Sequence, residues 1–182
     1  MKKLFLTAVV AVIAISASAQ AYVGAGVGFW RNYDANRTTF NLAPEAGYAL
    51  SDTWAIGIAL NYKYEYNNGV KNNGFAVNPY VRYTVAKMGA FKFFVDGSVQ
   101  IDALSTTPLV GDSYSGTAWQ VGFKPGIAVD LGKQFTLATH VGFLGYRDCN
   151  DDYDKYGFPT INKGFGFNVT NEIGSVSIYY NF

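Results

Sequence analysis

A chain of 182 residues is of single-domain size, and a formal charge of +1 with only 15% charged residues excludes the profile of a nucleic-acid binder or of a protein built for strongly acidic ligands. Aromatics are dense (14 Phe, 14 Tyr, 3 Trp) beside 20 Gly, yet no apolar run reaches the roughly 18 residues of a membrane-crossing helix. The one cysteine, Cys149, excludes an internal disulfide.

The N-terminus reads as an export address. Lys2 and Lys3 precede an apolar run from Leu4 to Ile15, and Ala17-Ser18-Ala19 supplies a small-x-small cleavage site. Cleavage between Ala19 and Gln20 leaves a single mature domain, 20–182. The apolar run is too short for an anchor helix, and no cysteine follows it to carry a lipid.

From Tyr22 onward, period-two alternation recurs in segments of ten to fourteen residues or slightly more, as strands require. The first, Tyr22–Arg31, sets Val23, Ala25, Val27 and Phe29 against glycines. After a polar loop, RNYDANR, Thr38–Leu50 sets Phe40, Leu42, Tyr48 and Leu50 against Asn41, Glu45 and Gly47. A tight turn at Ser51–Thr53 leads to Trp54–Tyr66, the clearest strand of all. Its even positions are apolar or aromatic, with Trp and Tyr at the ends and aliphatics between; its odd positions are small or charged. Asn67–Gly74 reads as a loop. Phe75–Ala86 and Phe91–Ala103 follow, joined by a turn at Lys87–Ala90. Ser105–Gly116 reads as a longer loop before Thr117–Leu131. A turn at Gly132–Gln134 then opens Phe135–Tyr146, with Leu137, Val141 and Phe143 on the bulky face. The long loop Asp148–Lys163 precedes Gly164–Phe182. In that last segment the bulky positions change from odd (Phe165, Phe167) to even (Ile178, Tyr180), which predicts a one-residue β-bulge near Asn171–Ser175.

Eight strands with alternating short turns and long loops predict an all-β, eight-stranded antiparallel up-and-down transmembrane β-barrel. PEAGYALSDTW, PYVRYTVAKMGAF and PGIAVDLGKQF repeat one hairpin pattern, and distortion is expected at Pro44, Pro79 and Pro125, which cannot donate to a ladder. Gly28-Phe29-Trp30 matches the opening of a soluble lipocalin barrel, but volume decides against that fold. An eight-stranded barrel has an interior barely wide enough for its own side chains, and the bulky face carries far too many large groups to fit. Turned outward, they meet lipid, while Gly, Ala, Ser and a few charges fill the lumen. Tyr48, Trp54, Phe91, Phe135 and Tyr180 then form a periplasmic aromatic girdle. Tyr62, Tyr64, Tyr66, Phe75, Trp119, Phe143 and Phe165 form the outer one.

The ending Val176-x-Ile178-x-Tyr180-x-Phe182 and segments such as FNLAPEAGYALSDTWAIGIAL resemble the small bacterial outer-membrane β-barrel proteins, with an architecture like that of OmpX and the OmpA barrel. That resemblance covers the mature chain. It implies residence in the cell outer membrane of a Gram-negative bacterium among phospholipid and lipopolysaccharide, and insertion by the barrel-assembly machinery, which reads the last strand. No wall-binding domain is expected, and a monomer is.

Five polar residues, Glu45, Arg82, Asp96, Lys124 and His140, lie at similar depth on the small face. Buried charges persist only when paired, so Glu45 and Asp96 are expected to bridge Arg82 and Lys124. Such a network reads first as a plug, giving a non-enzymatic structural or surface-interaction protein; the alternative is a narrow, porin-like gated channel. His140, the one histidine, could serve a lipid A-modifying enzyme, but it lies deep with no serine adjacent in sequence. No catalytic, cofactor or metal set is expected. Asp148, Asn150, Asp152 and Asp154 alternate like a calcium loop, but Tyr153 occupies the required glycine position and no glutamate closes it. Cys149 in that loop reads as an exposed thiol, and the outer loops are where a surface ligand would bind.

Overall fold

The computed structural model describes residues 21–150, 163–169 and 176–182. The leader, with Ala19 and Gln20, and most of the long loop lie outside the described residues. Among the described residues ten β segments appear: β1 (Ala21–Asn32), β2 (Arg37–Ala49), β3 (Trp54–Asn67), β4 (Val70–Met88), β5 (Phe91–Thr107), β6 (Tyr114–Asp130), β7 (Phe135–His140), β8 (Phe143–Cys149), β9 (Gly164–Asn168) and β10 (Val176–Asn181). β7 and β8 are two parts of one span, both paired with β6, and β9 with β10 make the last span. The sheet order β5-β4-β3-β2-β1-β10-β7-β6-β8-β9 closes through β5–β6, giving an eight-stranded antiparallel barrel. Closure pairs the edges that an open sheet would expose.

Alternation sets the two surfaces. Ile58 is 44% exposed on the outside, while its neighbour Ala59 is 8% exposed in the lumen. The outside is an apolar belt rimmed by paired rings. At the near end, marked by the turns after β2, β4 and β6, Trp54 lies 4.6 Å from Tyr83 and Phe135 5.5 Å from Tyr180 between centroids. Toward the far end, Trp119 lies 5.4 Å from Tyr146 and Phe40 6.5 Å from Tyr62. Such a belt matches what a hydrocarbon layer requires of a barrel.

The far end differs from expectation. Asn67–Gly74 is no loop: β3 and β4 run on to a two-residue turn, Asn68–Gly69, with φ of 47° and 93°. Asn-Gly is the sequence that tolerates two positive φ values, and this turn matches strand twist. β5 and β6 likewise take up half of the expected loop 105–116, leaving 108–113 between them. β4 holds 19 residues and β5 and β6 17 each, against roughly 9–11 for a bilayer crossing. Among the described residues the barrel is therefore extended on this side largely by wall.

Two irregularities shape the seventh and eighth spans. Gly126 faces His140 and Phe123 faces Leu144, so two residues of β6 oppose three, Val141 to Phe143. This bulge reverses the alternation. Phe143, expected in the outer girdle, is only 8% exposed and points inward, while Leu144 and Tyr146 face out. The bulge sits beside Pro125, which lacks an N–H, and the Val141 N–H donates to the Pro125 carbonyl at 2.9 Å. At Pro44 and Pro79 the ladders toward β3 and β5 lapse locally without a register change. The predicted bulge at 171–175 lies outside the described residues.

Candidate functional site

Four cross-strand pairs build a layer across the lumen. Tyr22 faces Gly47, Tyr80 faces Gly57, Phe94 faces Gly126 and Tyr179 faces Gly24. In each pair the ring lies over the glycine, where a Cβ would collide with it. Glycine in these strands therefore makes room for a flat ring against the wall.

Arg82 sits among these rings. Its Nε and one terminal nitrogen donate to the two oxygens of Asp96, both at 2.8 Å, and the same nitrogen lies 3.5 Å from Glu45 Oε1. The guanidinium carbon is 4.1 Å from the Phe94 centroid and 5.0 Å from that of Tyr80. Glu45 accepts the Tyr179 hydroxyl at 2.8 Å and the Tyr80 hydroxyl, so the Tyr22 hydroxyl donates to Tyr80 at 2.6 Å. His140 Nε2 lies 2.8 Å from Asp96 Oδ2; a carboxylate can only accept, so that nitrogen carries the proton. Side-chain exposures of 13%, 3% and 7% for Arg82, Asp96 and Glu45 mark a buried, bidentate, ring-sandwiched ion cluster.

Four of the five expected residues thus meet; Lys124 does not join them. Its Nζ donates to Gln100 Oε1 at 2.9 Å, and no carboxylate lies within ion-pair reach of it among the described residues. Asp96 is its cross-strand partner, but that carboxylate is engaged by Arg82 and His140 instead. Gln120 also donates to Gln100 Oε1, and Gln100 Nε2 donates to Asp102 at 2.9 Å. These residues form a second polar level on the far side of the first. Beyond them, Arg147 stacks over the inward Phe143 at 4.3 Å.

The first layer divides the lumen. On its near side is a cavity of about 260 Å³ floored by Arg82, Phe94, Tyr22 and Tyr179; on its far side is one of about 210 Å³ reached by Glu45, Asp96, His140 and Lys124. Ser177 lines the second cavity with His140 and makes no hydrogen bond to it, so a nucleophile–base contact is missing.

Tyr22 and Tyr179 were not singled out in the sequence. Both share the parity of lumen residues and face glycines, which is the signal that finds them. Cys149 is buried beside Ala118, Leu104 and Tyr114 rather than exposed. Of the last-strand residues, Val176, Ile178 and Phe182 are exposed on the outer face, and the Tyr180 ring packs between Phe135 and Phe182.

Comparison with known proteins agrees with this architecture. No curated protein sequence matches the chain. Among solved structures, Neisserial surface protein A is similar in fold, with a TM-score of 0.50 and 15% identity over 91% of this chain and 98% of that one. A family model described as "Protein of unknown function (DUF3575)" matches residues 5–179, and the chain belongs to that family.

Proposed function

We propose that this protein is a non-enzymatic, integral protein of the bacterial outer membrane, exported by its leader, whose filled barrel serves a structural or surface-interaction role. The observation that carries this reading is the pairing of an apolar, aromatic-rimmed exterior with a lumen crossed by the Arg82 layer. Every backbone group of a closed barrel can be satisfied without water, so the wall suits a bilayer. The guanidinium, two carboxylates and four rings crowded between the two cavities support a filled lumen. Phospholipid and lipopolysaccharide are then its surroundings, the assembly machinery engages Val176, Ile178, Tyr180 and Phe182, and the extended far wall is the surface offered to a partner. Membrane fractionation with heat-modifiable gel migration tests the first part: a chain that stays in the soluble fraction, or migrates identically boiled and unboiled, sinks it. Lipid A mass profiles with and without the protein test the non-enzymatic part, and a changed profile would transfer attention to His140.

A second reading, a narrow gated channel, draws on Lys124. It stands opposite Asp96 and, among the described residues, has no carboxylate within ion-pair reach, so exchange of Asp96 from Arg82 to Lys124 would open a path between the two cavities. Conductance separates the readings.

A further inference from the structure

The far cavity adjoins another of about 240 Å³, with Ala43, Asn61 and Gln100 in both linings. Lys124 reaches the first and Asp102 the second. These are an amine and a carboxylate on two adjoining cavities, and among the described residues neither has an ion-pair partner within 4.0 Å. Between them stands Gln100, whose carbonyl end accepts Lys124 and whose NH2 end donates to Asp102. An amide dipole here imitates a molecule with a carboxylate at one end and an ammonium at the other. Asn78, 9% exposed, lines the cavity that Lys124 reaches, and its Oδ1 has no hydrogen-bond partner among the described residues. A buried acceptor without a donor is costly, and a water carried in with a bound ligand would supply one.

We propose that the far half of the lumen, blind-ended at the Arg82 layer, binds a small zwitterion of the α-amino-acid type, its carboxylate on Lys124 and its ammonium on Asp102. Binding moves Gln100 aside, exchanging one dipole for two full charges. Charge-assisted contacts are the stronger ones, and the small residues Ala43 and Ala59 leave room beside them. This goes beyond the closed-barrel reading, using only its blind floor.

The test is an amide chemical-shift titration of the full chain folded in maltoside micelles, with L-alanine, acetate and ethylammonium as separate probes. L-Alanine is expected to give saturable shifts centred on Gln100, Lys124 and Asp102, with the single-charge probes weaker by about tenfold, the worth of one charged contact. Lys124→Met and Asp102→Asn each weaken L-alanine by about tenfold, and Gln100→Ala, which removes the internal competitor, strengthens it by a similar factor. No saturable shift, equal affinity for the three probes, or weakening by Gln100→Ala overturns the proposal. The wild-type probe comparison stands even if a variant fails to fold, and none of these outcomes alters the conductance test.

Discussion

Substituting Arg82 by methionine removes the cation that two buried carboxylates share while keeping the length and apolar bulk of the stem. Asp96 loses both 2.8 Å contacts and Glu45 its 3.5 Å neighbour, leaving two negative charges that are 3% and 7% exposed. Breaking a buried ion pair from one side costs about 3–5 kcal/mol, because the orphaned charge stays buried. Loss of the contact with the Phe94 face adds up to about 1 kcal/mol. The cavities on both sides can admit water, and His140 and two tyrosine hydroxyls still reach the carboxylates, so the lower end, about 3 kcal/mol, is expected. With a urea slope of roughly 1–3 kcal/mol/M, the unfolding midpoint in lipid vesicles should fall by about 1–3 M. The triple variant Arg82→Met, Glu45→Gln, Asp96→Asn removes the whole charge set, and most of the loss should return. A single-variant loss under about 1 kcal/mol, or a triple variant worse than the single, would refute the view that the layer is held by mutual neutralisation.

Gly57→Val drives a branched side chain into the Tyr80 ring and should cost about 1–3 kcal/mol by the same unfolding assay. Gly97→Ala, on the outer face with its nearest neighbours at 3.7 Å or more, should stay within about 0.5 kcal/mol. Ile58→Lys places a charge in the middle of the outer belt and should cost about 2–4 kcal/mol in vesicles; a neutral result would mean that this face does not meet lipid. Gly69→Val, at φ 93° in the far turn, should cost about 1–2 kcal/mol. Cys149 should react with maleimide slowly in the folded protein and rapidly after denaturation; equal rates would contradict its packing against Ala118, Leu104 and Tyr114.

The spans were legible because two-residue periodicity is a local property: Trp54–Tyr66 carries its own faces and its own ends. What failed depended on neighbours. Phe143 changed sides because a bulge one residue earlier, beside Pro125, shifted the phase, and alternation read through that point carries the wrong parity forward. Asn67–Gly74 looked like a loop because Asn and Gly dominate it, although a two-residue turn needs only the Asn68–Gly69 pair and leaves the rest free to pair as wall. Glu45, Arg82, Asp96 and His140 were found together because depth and face can be counted from the turns. Lys124 shared both, but which carboxylate an amine reaches depends on competition, and Arg82 with its fork of donors takes Asp96. Tyr22 and Tyr179 show the complementary lesson: a lumen aromatic is announced by the glycine across from it, which only a register makes visible.

Single-channel recording of the purified protein in planar bilayers addresses the closed lumen most directly. A flat baseline is expected for the wild type over the stable voltage range, with conductance steps emerging only when the Arg82 layer is thinned, as in a variant carrying Arg82→Ala with Phe94→Ala. Regular, reproducible steps from the wild-type protein would contradict the closed lumen and favour the gated channel.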